Sequence, residues 1–176
     1  MYYYLNYFFI FSILGHIFET IMYKMLNLHL ESGFLYGYWT PVYGVGVILI
    51  LLVSKKIFSR LKLNKFVEIL IFLIVITAVL TLTEFVGGNL LELIFKREFW
   101  SYTDHKYHFG KYIALDISVM WMICSLIFIC LIKPWMDKLI IKIPKFITYI
   151  FIVLFIIDLF CTLIFKIKMW FIFTFL

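Results

Sequence analysis

Residues 66–87 read FVEILIFLIVITAVLTLTEFVG, with Glu68 near the start and Glu84 near the end as the only charges. A helix crossing the hydrocarbon of a bilayer needs about 20 predominantly apolar residues at 1.5 Å rise. This stretch satisfies that length, so the fold is read outward from it as membrane-spanning. The helix has room to continue past Gly87 and Gly88 to Phe95. Apolar runs of similar character recur at residues 4–26, 41–57, 112–132 and 146–165. The run at 41–57 is somewhat short, and the tail at 169–176 is too short to span; it lies in the interface or extends the fifth helix. Met1-Tyr-Tyr-Tyr4 lacks the basic stretch and small-residue cleavage site of a signal peptide, so the first run is read as a retained span.

Composition agrees. Of 176 residues, 65% are hydrophobic, 22% aromatic and 15% charged, with a mean hydropathy of +1.07. Soluble domains run at roughly 45–50% apolar. A water-soluble chain of this composition would expose large apolar patches and aggregate, whereas lipid solvates the excess. The fold class is therefore all-α: a polytopic transmembrane bundle of about five spans, read as a single integral membrane domain over 1–176, with the lipid bilayer as its principal partner.

One segment departs from plain spanning helix. Residues 33–46, GFLYGYWTPVYGVG, combine four glycines, a proline and several aromatics. They predict a re-entrant or broken element leading into span two. Irregular backbone at membrane depth is tolerated only where protein or water satisfies it, so this segment should pack inside the bundle.

The net charge of +6 would suggest nucleic acid in a soluble protein. Here the basic residues sit between apolar runs, where they set orientation instead. Nine follow spans two and four (Lys55, Lys56, Arg60, Lys62, Lys65, Lys133, Lys138, Lys142, Lys145) and seven fall on the other side. The bias predicts a multi-pass protein of the cell membrane with its N-terminus in the cytoplasm. Cys124, Cys130 and Cys161 lie inside apolar runs without metal-ligand spacing, and read as small buried hydrophobes. His29, His105 and His108 lie near helix ends with no strong ligand spacing, so no metal is predicted. The chain carries no Walker A motif, dinucleotide fingerprint or nucleophile elbow, and no cofactor is expected. Any use of ATP would require a separate ATPase subunit.

Carboxylates inside the apolar runs are the main chemical signal. A charge at the bilayer centre costs at least ~2.5–3.5 kcal/mol, so such groups tend to face partners or water in the interior. His16, Glu19, Thr20 and Tyr23 share one face of span one, with Gly15 beside them for close helix approach. His16 and Glu19 could share a proton, bind a cation, or form a hydrogen-bonded pair that orders the bundle. In span three, Glu84, Gly88 and Glu92 follow at intervals of four. The two carboxylates then lie about 80° apart and ~12 Å along the axis, on one broad face but out of direct contact. Gly87-Gly88 predicts a bend that would free backbone carbonyls beside Asn89. Glu92 could equally pair with Lys96 in the interface. Asp116 is read as a helix-start or solvated residue, and Asp158 as a cross-helix partner.

These stretches resemble the motifs of the CmpB-type ABC-transporter permease family. Phe11-Ser-Ile-Leu-Gly-His-Ile-Phe-Glu-Thr20 is similar to its first motif, and Gly33-Phe-Leu-Tyr-Gly37 with Pro41-Val-Tyr-Gly44 to its second. Glu84, Leu90-Leu91-Glu92 and Phe99-Trp100-Ser-Tyr102 resemble the third, and Phe109-Gly110-Lys-Tyr-Ile113 the fourth. The chain departs from the pattern at His16, where an aromatic is usual, at Ser101 and Lys111, where Asp and Arg are usual, and at Gly37-Tyr38, where Gly-Pro is usual. The resemblance implies a multi-pass transporter permease.

Three functions fit. The first is a permease component moving a small polar solute or cation, with Glu19, Glu84, Glu92 and His16 lining an interior site and Tyr36, Tyr43 and Asn89 adding hydrogen bonds. The second is an intramembrane enzyme using the same carboxylates as general acid and base on a lipid or lipid-linked substrate. The third is a non-catalytic membrane partner subunit. A homo-oligomer or a separate ATPase subunit is the expected assembly for the first; nucleic acid is not an expected partner.

Overall fold

A computed structural model of the chain describes residues 1–25, 33–96 and 98–174, with side chains to Phe165. His29 and Arg97 lie outside the described residues. The elements are helices α1 (Tyr2–Met25), α2 (Pro41–Arg60) and α3 (Lys65–Phe95), a hairpin of β1 (His108–Phe109) and β2 (Ile113–Ala114), then α4 (Leu115–Ile127), a π-helical turn (Phe128–Ile132), α5 (Lys133–Ile140) and α6 (Lys145–Thr174). Among the described residues, five helical stretches are long and apolar enough to cross a membrane: α1, α2, α3, the continuous Leu115–Ile140 stretch, and Lys145–Phe165 of α6. The predicted count of spans holds. The backbone of the apolar tail continues α6 as far as Thr174.

Most of their surface is turned outward. Ile74 is 63% and Leu131 70% exposed. Such stripes would drive aggregation in water and are solvated by acyl chains in a bilayer. With backbone hydrogen bonds closed inside each helix, the spans need few contacts with each other, and small or polar groups mark where they do meet.

Contacts divide the chain into two compact units, residues 1–48 with 138–176, and residues 49–137. In the first unit, α1, α6 and the segment before α2 share an aromatic core. Phe9, Leu35 and Trp39 are buried there, with Phe151 and Phe155 packed against them. Thr148 of α6 donates a buried hydrogen bond of 2.7 Å to Asn6 Oδ1 of α1. Glycines set the approach of α1 to α2. The Tyr43 ring fills the space a side chain at Gly15 would need, and a Cβ at Gly44 would stand 2.6 Å from the Phe8 carbonyl oxygen. The backbone N–H of Thr40 reaches the Ser12 carbonyl at 2.9 Å, fixing the start of α2 on α1.

In the second unit, α3 begins with a polar cap. Asn64 Oδ1 accepts from Phe66 N–H at 3.0 Å, and Glu68 Oε1 accepts from Leu63 N–H at 3.0 Å. The first satisfies a donor that the helix start leaves open, and the second ties the residue before the cap to the first turn. The helix then runs unbroken for 31 residues. The helical assignment continues through Gly87-Gly88, so no break interrupts the helix there, and Gly88 serves close packing. Thr81 and Ser118 hydroxyls, 2.9 Å apart, join α3 to α4. The π turn has a local cause. Pro134 has no N–H and its ring would crowd the carbonyl of Cys130, four residues back. The chain widens by one residue instead, and Lys133 N–H bonds back to the Phe128 carbonyl.

Candidate functional site

Five of the six buried positions of α3 form a row at four-residue intervals, Phe72, Ile76, Leu80, Glu84 and Gly88; the sixth is Phe95 at its end. Such a row is an inclined ridge on a helix, the kind that packs against a neighbour. Glu84 replaces an apolar side chain in it, and Glu92 is one further step along.

The segment after α3 folds back over the end of this row. Lys96 ends the helix in the left-handed region at φ 53°, and Gly110 turns the hairpin at φ 63°. His108 pairs with Ala114 and Phe109 with Ile113. Tyr102 N–H bonds the Lys111 carbonyl at 2.7 Å, and Leu115 N–H bonds the Tyr107 carbonyl at 2.9 Å. This frame carries two tyrosines and a lysine onto α3. Tyr102 donates its hydroxyl to Glu84 Oε1 at 2.9 Å. The Trp121 indole of α4 interacts with the same carboxyl. Tyr112 lays its ring on Gly88, where a Cβ would come within 2.5 Å of the ring. Its hydroxyl donates to Glu92 Oε2 at 2.8 Å. Lys111 Nζ sits between Glu92 at 2.7 Å and Glu98 at 2.6 Å. Trp100 stacks edge-on to Tyr112, with centroids 5.6 Å apart.

The electrostatics follow from these contacts. Hydrogen bonds to Glu92 and then Glu98 hold the Lys111 ammonium well above the ordinary lysine range. Burial first, and its bond to Glu92 second, push the Tyr112 phenol up to about 12. Outside the row, His105 Nδ1 and Asp116 Oδ2 stand 2.6 Å apart, and the His105 ring lies edge-on to Tyr102 at 5.4 Å.

Glu84 and Glu92 thus share one row, with Gly88 and the Tyr112 ring between them, and each has its own partners. Asn89 lies off the row, exposed, and its amide donates to the Phe85 carbonyl at 2.6 Å. In the other unit, Thr20 donates to the His16 carbonyl at 2.8 Å. Glu19 acts electrostatically on Tyr23. His16 stands edge-on to Tyr38 at 5.4 Å, and its Nδ1 is buried without a hydrogen-bond partner. Tyr43 covers Gly15. The Tyr36 side chain is exposed, while its backbone N–H reaches Asp158 Oδ1 at 3.2 Å.

Asp158, expected as a cross-helix partner, instead bonds the non-helical segment ahead of α2. From within the apolar run of α6 it also accepts from Gly37 N–H at 3.0 Å and Trp39 Nε1 at 2.8 Å. It anchors the whole 36–39 turn. An acid in an apolar run opposite a Gly- and Trp-rich turn was the available signal. Tyr102 and Tyr112 were legible as members of the third and fourth motif stretches and Trp121 as part of span four, but none was singled out as a partner of a carboxylate. Among the described residues, no three His, Cys, Asp or Glu side chains are grouped to hold a metal ion.

Five apolar spans, with carboxylates bonded inside each unit, define a polytopic helical membrane protein. The model of the family described as "Putative ABC-transporter type IV" matches residues 6–166, and the chain belongs to that family. No curated protein and no solved structure matches the chain.

Proposed function

We propose that this chain is the membrane-embedded permease component of a transporter for a small polar solute or a cation. In this reading the Glu84–Tyr102–Trp121 cluster and the adjoining Glu92–Lys111–Tyr112 set supply the polar surface in one unit. Glu19 and His16, with Tyr36 and Tyr43 nearby in sequence, supply it in the other. Asn89 adds a polar group beside the α3 row. The chain sits in the cytoplasmic membrane with its N-terminus inside, and a separate ATPase subunit provides any nucleotide chemistry. Glu84 carries the reading. A carboxylate only 8% exposed occupies a row that is otherwise apolar or glycine. Keeping such a group in a span costs free energy that an ordinary packing residue would avoid.

The test is flux into liposomes holding the purified chain, using radiolabelled rubidium, sodium and a panel of amino acids. Uptake of at least one above empty vesicles is expected, lost in Glu84→Gln with expression and thermal stability retained. Wild-type uptake by Glu84→Gln sinks the assignment.

A second reading has one observation in its favour. Glu84, Glu92 and Asp158 all accept hydrogen bonds from the chain's own donors. That suits a partner subunit in which the acids order the bundle. It predicts that substitutions at all three act only through unfolding temperature.

A further inference from the structure

Titratable groups run from the exposed loop to the buried acid of α3. Asp116 has a side chain 63% exposed, and its partner His105 is 32% exposed. The His105 ring meets the Tyr102 ring, and the His105 backbone N–H bonds the Tyr102 backbone carbonyl at 3.0 Å. Tyr102 in turn donates to Glu84. Exposure falls along the series to the 8% of Glu84. Structural support for Glu84 would need only the tyrosine. It gives no reason for an ionisable imidazole, itself paired to a carboxylate, on the outer side of that tyrosine.

Resting on the reading of Glu84 as a transport carboxylate, we propose that the proton is the ion this site takes, reaching Glu84 through the His105–Asp116 pair and Tyr102. A proton arriving at the pair is held by the imidazole, with Asp116 offsetting the charge. The route requires one water between the imidazole and the phenol, which takes the imidazole's proton as it passes one of its own on. The Tyr102 oxygen accepts the proton from that water as its own proton passes along the existing bond to Glu84 Oε1. Glu84 ends neutral, the phenol is restored, and reversal discharges the site. Neutralisation also removes most of the cost of holding the acid in a span. The groups facing the route are Asp116 at His105, Glu84 at Tyr102, and Trp121 at Glu84. Asp104 and Lys106 flank His105 in the exposed loop, and the Glu92–Lys111–Glu98 set lies further along α3.

The experiment places the full chain in liposomes under a valinomycin-imposed potassium potential, with a pH-sensitive dye inside. Wild type is expected to take up protons above empty vesicles, and Glu84→Gln to abolish uptake. His105→Phe keeps an aromatic ring beside Tyr102 without a titratable nitrogen, and should slow uptake by about tenfold or more. Imidazole buffer should restore the His105→Phe rate and leave Glu84→Gln inactive, which a purely structural role would not produce. His105→Phe at the wild-type rate, or unaffected by imidazole, overturns the route. Solute or metal-ion flux without proton flux overturns the proton assignment while the permease reading stands.

Discussion

Two acids of one helix differ in how they are kept. Glu84 is buried and meets a neutral donor, Tyr102, whereas Glu92 meets an ammonium, Lys111, and a phenol, Tyr112. Removing the Tyr102 hydroxyl leaves a buried oxygen short of a partner. Tyr102→Phe should therefore destabilise by about 1–3 kcal/mol, and adding Glu84→Leu should recover most of it, because the orphaned acceptor goes too. Thermal unfolding in detergent reads both. If the double variant melts no higher than the single one, the bond is not what stabilises this pairing. Tyr112 supplies a pH signature. Its folded phenol holds its proton more tightly than an ordinary tyrosine, pushed up to about 12. The raised value contributes stability that is complete below about pH 10 and lost as pH rises toward 12. Wild type should out-melt Tyr112→Phe at neutral pH, and the gap should close between pH 10 and 12. A gap that stays constant through that window contradicts the Tyr112–Glu92 bond.

Paired glycines separate packing from propensity within α3. Gly88 meets the Tyr112 ring, whereas nothing lies within 4 Å of a Cβ placed at Gly87. Gly88→Ala should cost about 1–3 kcal/mol through overpacking, and Gly87→Ala should be neutral or stabilising by up to about 1 kcal/mol. Equal melting temperatures for the two variants would show that the hairpin does not rest on α3 as described. Asp158 acts on an element too: Asp158→Ala removes the acceptor for Tyr36, Gly37 and Trp39 together. A cysteine replacing Tyr36 should then label faster with a thiol reagent than in the Asp158 background. Legibility also sorts by element. Spans announce themselves because an apolar run has one structural use in lipid, and residues 66–95 needed no tertiary information. The four-residue spacing placed Glu84, Gly88 and Glu92 in one row correctly. Besides Trp121 of α4, what meets Glu84, Gly88 and Glu92 comes from residues 100–112, whose position depends on a left-handed Lys96, a Gly110 turn and two backbone bonds across the loop. None of these leaves a periodic trace, so Tyr102 read only as a motif aromatic of the loop and Tyr112 as a motif residue at the start of span four, neither as a partner of an α3 carboxylate. Gly87-Gly88 was ambiguous for the converse reason: a glycine pair allows a bend and close packing equally, and only the neighbour shows that Gly88 takes the close contact.

Across the whole chain, the motif stretches that look separate in sequence meet within units. Ser12 and Gly15 of the first meet Thr40, Tyr43 and Gly44 of the second. Glu84 and Glu92 of the third meet Tyr102 beside them and Lys111 and Tyr112 of the fourth. Each unit is therefore fastened by groups at helix ends and loops, while its spans stay largely bare for lipid. That division makes loop chemistry the control on orientation, because the bare spans are symmetric with respect to the two leaflets. The turns after spans two and four hold nine of the sixteen basic residues, against seven elsewhere. Basic residues near span ends are retained on the cytoplasmic side, so the 60–65 and 140–145 turns should lie inside and the 96–114 loop outside. Single cysteines in place of Ser59 and Lys106, on a background in which Cys124, Cys130 and Cys161 are serine or alanine, test this directly. In intact cells a membrane-impermeant maleimide should label position 106 and reach position 59 only after permeabilisation. The opposite pattern would put the His105–Asp116 pair in the cytoplasm and reverse the side from which a proton approaches Glu84. Labelling of both positions in intact cells would contradict the odd number of spans between them.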